Sequence, residues 1–311
     1  LIKVGISSCL MGQKVRFDGG HKASLFCQQE LSKYVQFQPL CPEVGIGLSV
    51  PRPSIRLEQH DEKGVRAFIP KTETDVTEQL QGFANQHQDK FTQLSGYVLC
   101  AKSPSCGMER VRVYKPGEKH NEKNGVGIFT QRLMELQPNL PIEEDGRLND
   151  PFLRENFILR VFIYADWQGL TRPLTKKALL DFHTRHKLLL LAHNQPLYRQ
   201  IGHELAQTHQ ITERFENEYI SRVMEALSKP ASRKNHTNVM QHVQGYFKNY
   251  LSEVEKEELA ELILQYRKGI EPLSSPLTLL KHYQKIYPND YLASQSYFNP
   301  YPQQLKLRYG L

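Results

Sequence analysis

The chain has 311 residues, 39% of them hydrophobic and 10% aromatic, with a formal net charge of +7. That is enough apolar material and length for two ordinary globular domains, and it excludes a disordered chain as the default. The apolar run Leu188 to Ala192 stops at His193, far short of the roughly 20 residues that a membrane-spanning helix needs.

The opening stretch Leu1-Ile2-Lys3-Val4-Gly5-Ile6 is too short for the apolar core of a secretion signal and reads as a buried strand. The expected location is cytoplasmic. Strand Lys3–Ser7 is followed by a helix over 23–34, a short strand within 34–40, a long helix or helix pair over 72–94, and a buried strand Gly96–Ala101. This alternation predicts an α/β domain with a mainly parallel sheet. The stretch 149–164 reads as a helix packing back on that sheet, and 166–173 as a boundary. Beyond it strand signals nearly vanish. Helical spacing runs over 175–194, 196–207, 214–227, 237–251, 254–269 and 276–287, with a polar basic loop over 228–236. The expected organisation is therefore an α/β domain over 1–165 and an all-α domain over 172–311.

Charge is divided unequally. Residues 1–150 hold 19 Lys and Arg against 18 Asp and Glu, whereas 151–311 hold 21 against 15 and 8 of the 12 His. The basic balance of the second half suggests an anionic partner, nucleic acid being the commonest, with a simple solubility charge as the plainer reading.

The cysteines at 9, 27, 41, 100 and 106 all lie in the first half. An odd count argues against a disulfide framework. Cys9, Cys41 and Cys106 each follow a predicted strand, and in an open parallel sheet residues just past the strands' carboxyl ends converge on one crevice. Zinc sites usually draw on C-x-x-C pairs, of which there are none here. Three thiolates without an obvious fourth suit a [4Fe–4S] cluster with one open iron. Alternatively, the cysteines are small buried core residues, which fits Cys27 on the first helix and Cys100 inside a strand. Glu43 lies two residues from Cys41, and Ser103 and Ser105 lie three and one residues from Cys106. Such groups suit acid–base chemistry beside a metal, although Glu43 could equally cap a helix and Ser103 start a Ser-Pro turn.

Three blocks carry a wider pattern: Ser7-Ser8-Cys9-Leu10-Met11-Gly12 leading to Val15-Arg16-Phe17-Asp18-Gly19, Cys41-Pro42-Glu43 through Gly47-Leu48 to Pro51-Arg52, and Ser103-Pro104-Ser105-Cys106-Gly107. Over roughly residues 1–160 the chain resembles the bacterial thiouracil-desulfidase family, with Ile46 standing where that family often has a second glycine. The resemblance implies Cys9, Cys41 and Cys106 as the three ligands of a [4Fe–4S] cluster. Its open iron would polarise a thiocarbonyl that water then attacks. Glu43 becomes the candidate acid/base and Ser103 the candidate proton relay or donor, while Arg16, Asp18 and Arg52 orient substrate or loops.

The second half is similar to a domain often fused to this catalytic one, in the stretches 180–187, 241–247 and 276–283. The fused form resembles desulfidases that convert 4-thiouridine in tRNA to uridine. Candidate phosphate contacts are Lys229, Arg233 and Lys234, with Lys176, Lys177, Arg185 and Lys187. His186 and His193 share one helix face, but without a zincin-like spacing they read as packed or RNA-facing. The alternatives are a desulfidase for free thiouracil or thiouridine, and a non-catalytic iron–sulfur sensor that binds nucleic acid.

Overall fold

The computed structural model describes residues 1–308. The chain forms two compact units that divide between Asp150 and Pro151. The first unit contains, in chain order, β1 (Ile2–Ser7), β2 (Val35–Leu40), the one-turn helix α1 (Pro42–Gly45), β3 (Arg56–His60), β4 (Gly64–Ile69), β5 (Thr74–Asp75), α2 (Thr77–Gln86), α3 (Gln88–Phe91), β6 (Gly96–Leu99), β7 (Val111–Tyr114), β8 (Asn121–Gly125), α4 (Ile128–Leu136) and β9 (Ile142–Glu144).

Four of these strands form a parallel sheet in the order β2-β1-β6-β9. Val4 and Ile6 of β1 and all four residues of β6 are buried, the apolar signature of strands covered on both faces. Phe91, Tyr97 and Phe129 meet at ring-centroid distances of 5.9 to 6.4 Å. Each fully buried side chain of this size contributes roughly 1.5–3 kcal/mol. Ser7 pairs with Leu40 and Ile6 with Val98, so the carboxyl ends of β2, β1 and β6 lie side by side. This is the parallel-sheet domain that the sequence predicts.

A second, mixed sheet, in the order β5-β4-β3-β7-β8, was not expected. All its strands are short, and β3 (Arg56-Leu57-Glu58-Gln59-His60) and β8 (Asn121-Glu122-Lys123-Asn124-Gly125) are mostly polar and carry almost no apolar alternation. Leu57, Ala67, Val111 and Val113 supply its inner face, against Leu80 of α2 and Ile128 of α4. The expected helix over 23–34 is a π-helical turn, Phe26–Glu30, followed by a 3-10 turn, Leu31–Lys33, with Cys27 and Leu31 facing inward. The segment over 72–94 is a helix pair, its first residues taken by β5.

The second unit is all helix: α5 (Pro151–Gln168), α6 (Lys176–His193), α7 (Gln195–Gln207), α8 (Glu213–Ala226), α9 (Arg233–Tyr246), α10 (Glu253–Lys268), α11 (Ser274–Ile286) and α12 (Asp290–Ser294). Helix α5 belongs to this unit rather than to the first sheet, which places the boundary earlier than the expected 165/172. Trp167 of α5 packs on Phe182 of α6 and Tyr219 of α8, at 5.4 and 5.6 Å, and Asn156 donates to the Leu227 carbonyl. Thr175, Asn194, Thr212 and Ser252 cap helix starts, each cap contributing about 1 kcal/mol. Ser232 does the same for α9, accepting from the Asn235 amide at 3.2 Å. The expected loop therefore shrinks to residues 228–232, and Arg233 and Lys234 lie on the first turn of a helix. Among the described residues no helix is long and apolar enough to cross a membrane.

His183, His186 and His236 are packed inside this unit. His186 is held on both nitrogens, by Ser296 Oγ at 2.7 Å and Asp166 Oδ2 at 2.8 Å, and His183 meets the Tyr219 hydroxyl at 3.1 Å. Burial pushes His183 down to about 4, lowers His236 well below the ordinary imidazole value, and lowers His186 despite the opposing pull of Asp166. A group whose folded pKa is depressed takes up its proton more readily when unfolded. Its stabilisation is therefore present above about pH 6.5 and lost as pH falls towards the folded value, at about 1.4 kcal/mol per pH unit for each histidine. The melting temperature followed by circular dichroism is expected to fall steeply between pH 6.5 and 5, before most carboxylates protonate. A flat profile across that window would contradict the burial of these rings as neutral imidazoles.

Candidate active site

Three loops close around a cavity of about 560 Å³ at the carboxyl ends of β1, β2 and β6. The first begins directly after β1, where Ser8–Met11 winds into a 3-10 turn that buries Cys9. The second begins after β2. Cys41 is extended, and Pro42, at the first position of α1, turns the chain into a helix, where its missing N–H costs nothing. The third follows β6 and runs from Ser103 to Gly107. All three expected ligands, Cys9, Cys41 and Cys106, line the cavity, as do Glu43, Ser103, Arg16, Asp18 and Arg52.

Cys100 lines it too, contrary to its expected place inside a strand. Strand β6 ends at Leu99, two residues early, and the Cys100 amide donates to the Ser7 hydroxyl at 3.0 Å instead of continuing a ladder. Cys27 is fully buried away from the cavity.

The electrostatics of the thiols set what the cavity can hold. Burial pushes Cys106 well above the ordinary thiol value, with the Glu43 charge adding to it. Burial also raises Cys41, against the pull of the Val44 amide at the start of α1. Cys9 is raised by its hydrogen bond to Cys100 and by burial, while Cys100 is lowered by the same bond, with Lys22 favouring its thiolate. Buried thiols that oppose one another's ionisation become thiolates together only around a cation. The thiols come from separate loops, and among the described residues no three His, Cys, Asp or Glu side chains converge on a single ion position. A donor set of soft thiols ringing a cavity fits a polynuclear iron–sulfur group better than one closed ion site.

Glu43 is held rigidly. Its Oε2 accepts from Arg52 Nε at 2.8 Å and lies 2.6 Å from Nη2, and its Oε1 accepts from Ser105 Oγ at 2.9 Å. Arg52 is itself buried and also donates to the carbonyls of Ser49 and Val15 at 3.1 and 2.8 Å. Its guanidinium therefore braces loops rather than reaching for substrate. Ser103 Oγ accepts from the amides of Ser105 and Cys106 at 3.2 and 3.1 Å, shaping the Cys106 loop as well as facing the cavity. Asp18 closes a turn on the Gly20 amide at 2.9 Å, and Arg16 lies over the Phe17 ring at 5.7 Å.

Sequence reasoning marked Ser105 only as a hydroxyl beside Cys106, and it missed three further participants. Ser105 is fully buried and carries the link to Glu43. Lys22 enters the cavity wall beside Cys100, paired with Asp145 at 2.8 Å. Burial would lower the Lys22 ammonium, but Asp145 outweighs it and raises the group. Asp145 also accepts from the Ala101 amide at 2.8 Å. The last is Gly127, whose amide donates to the Gly107 carbonyl at 2.8 Å. Ile46, which departs from the family pattern, has φ −88°, and Gly47 takes the left-handed φ of +88° instead. The loop therefore turns without a second glycine.

Comparison with known proteins assigns these loops. The family model described as 2-thiouracil desulfurase matches residues 4–145, across all three cysteine blocks. Through this half, the chain belongs to the 2-thiouracil desulfurase family. Residues 187–302 match a family of unknown function, DUF1722. The uncharacterized protein YbgA of Escherichia coli (strain K12) is 42% identical over 159 residues, which cover 50% of this chain and 94% of that protein. Among solved structures, the [4Fe-4S]-dependent thiouracil desulfidase TudS is 25% identical with a TM-score of 0.40, over 48% of this chain and 95% of that one.

In this desulfurase-family chain, Gly127 is the sharpest test of how the third loop is built. A Cβ there would stand 2.6 Å from the Ser105 carbonyl and 2.7 Å from the Cys106 nitrogen, so the Cys106 loop would have to move. Gly127→Ala is expected to lower iron content per chain severalfold after anaerobic reconstitution. Gly82→Ala, whose Cβ meets nothing within 4 Å, should leave it unchanged. Equal iron in both variants would show that Cys106 does not need this placement. Cys9→Ser, Cys41→Ser and Cys106→Ser should each lose the iron–sulfur absorbance near the visible edge, whereas Cys27→Ser should retain it.

Proposed function

We propose that this chain is an iron–sulfur desulfidase that replaces the sulfur of a thiolated uracil by oxygen, with 4-thiouridine in tRNA as its substrate. The observation that carries this reading is the meeting of Cys9, Cys41 and Cys106 at one cavity with Glu43 and Ser103, in a chain of the 2-thiouracil desulfurase family. Cys9, Cys41 and Cys106 would hold a [4Fe–4S] cluster, which when bound supplies an open iron as Lewis acid for the thiocarbonyl sulfur.

The protein groups then have distinct tasks. The exchange of C=S for C=O is a hydrolysis: water provides the oxygen, its two protons leave with the sulfur as hydrogen sulfide, and no electron changes owner. Glu43 takes a proton from the attacking water through Oε1, because Arg52 occupies Oε2 while Ser105 holds Oε1 in place and leaves it a free lone pair. Ser103 already accepts two amide bonds, which leaves its O–H to donate to the ring as negative charge develops there. Phe17, 44% exposed at the cavity wall, offers a face on which a pyrimidine can stack.

The substrate assignment rests on charge. Residues 151–311 carry 21 basic against 15 acidic side chains, and Lys229, Arg233 and Lys234 are exposed on the turn and first helical residues around Ser232. A thiolated base within a folded RNA must be drawn out of its stack to enter the cavity. All five cysteines are free thiols, in keeping with a cytoplasmic setting.

Anaerobic incubation with bulk bacterial tRNA, followed by nucleoside analysis, is expected to show loss of 4-thiouridine with matching gain of uridine and sulfide. Glu43→Gln should keep the cluster absorbance while turnover drops by about 10²–10⁴. Sulfide release from free 4-thiouracil but not from tRNA would restrict the substrate to the free base. No release from either would leave the sensor reading in its place.

A further inference from the structure

We infer that the first unit has its own polynucleotide-binding surface, a basic groove beside the cysteine cavity that seats the phosphodiester backbone flanking the thiolated base; this rests on the desulfidase reading above. The groove, about 1010 Å³, shares Ser54, Ile55, Ala101, Lys102 and Pro104 with the cavity. A base in the cavity would therefore leave its sugar and phosphates at the groove's edge.

The groove is lined by Lys102, Arg110, Arg112, Lys119 and Lys123. All five are exposed, and among the described residues none has a carboxylate within ion-pair distance. The acidic groups that line it are already engaged. Glu109 pairs with Arg147 at 2.8 Å, and Glu144 accepts the Met108 amide at 2.7 Å. Arg56 stands over the Tyr114 ring at 5.2 Å, which adds an aromatic face to the basic floor, the combination that single-stranded nucleic acid recognises.

One feature of the groove points to an anion. Arg112 of β7 and Lys123 of β8 are direct cross-strand partners. Like charges placed opposite one another in a ladder are unfavourable, and an anion bridging them removes the repulsion. Lys102 and Arg110 hold left-handed backbone conformations at φ +64° and +55°. Such conformations are uncommon away from glycine and persist where surrounding structure enforces them. The near-neutral balance of residues 1–150, 19 basic against 18 acidic, conceals this local concentration. The occupant is a strand rather than one phosphate, because five uncompensated cations exceed the charge of a nucleoside monophosphate.

The test uses the full chain and a short, fluorescent, sulfur-free oligoribonucleotide, so that binding is read independently of desulfidation. Arg112→Ala/Lys123→Ala is expected to weaken binding at least tenfold and to reduce the slope of log affinity against log salt by about 1.4, two single-strand phosphate contacts' worth. Lys33→Ala/Lys90→Ala removes the same charge from elsewhere in the unit and should change neither quantity. Lysine acetylation footprinting should show Lys102, Lys119 and Lys123 protected by the strand, with Lys33 and Lys90 unprotected. Equal binding by wild type and the groove variant, equal losses in both variants, or no protection of the groove lysines would each overturn the proposal. A nucleoside monophosphate that competes as well as the strand at equal phosphate would also overturn it. Strand binding through these residues without sulfide release from any thiolated substrate would sink the desulfidase reading and leave the groove standing.

Discussion

Everything at the candidate site depends on one buried guanidinium. Arg52 binds the Val15 carbonyl in the first cysteine loop, its own Ser49 turn, and Glu43 in the second loop, and Glu43 passes the connection through Ser105 to the third. One unbroken chain of hydrogen bonds thus spans the three segments that carry Cys9, Cys41 and Cys106. Burying such a pair is costly, and removing one partner strands the other charge, at about 3–5 kcal/mol. The loops are therefore fixed relative to each other far more firmly than their length alone would allow. All three guanidinium nitrogens of Arg52 take part in this bracing.

The same bracing explains how a cavity of thiols can exist at all. Packed among neighbours that raise their pKa, Cys9, Cys41 and Cys106 resist ionising, so the protein holds ligands whose charged form is worth having only when a cation arrives. Lys22, tied to Asp145, provides positive charge on the Cys100 side, and the amides at the start of α1 do so beside Cys41. The fold supplies position and the group it receives supplies the charge, a division common to metal sites whose affinity rises with pH.

Which of this was legible beforehand follows from what each residue does. β1 and β6 are buried on both faces and announce themselves as apolar runs, so the placement of Cys9 and Cys106 beyond them could be read directly. Cys41 could be placed because it directly follows the short strand ending at Leu40. The mixed sheet could not be read, because strands such as Asn121–Gly125 bury almost nothing of their own and are held by pairing to β7. Cys100 was misplaced because it lies one residue past the end of β6, where its amide meets the Ser7 hydroxyl, 93 positions away in the chain. Ser105, Asp145 and Gly127 act through contacts between distant segments, which no local pattern encodes. In the second unit, helix periods gave the elements, but the start of α9 depended on recognising Ser232 as its cap, and the ownership of α5 on where Trp167 packs.

The division at Asp150/Pro151 has a consequence for descent. Each half closes its own core, and no strand or helix of one is completed by the other. Each half also answers to a separate family model. A relative whose length is almost wholly matched by half of this chain exists in its own right. Joining or losing a half therefore requires no reinvention of the remainder. Either part can change in sequence while the core of the other is kept.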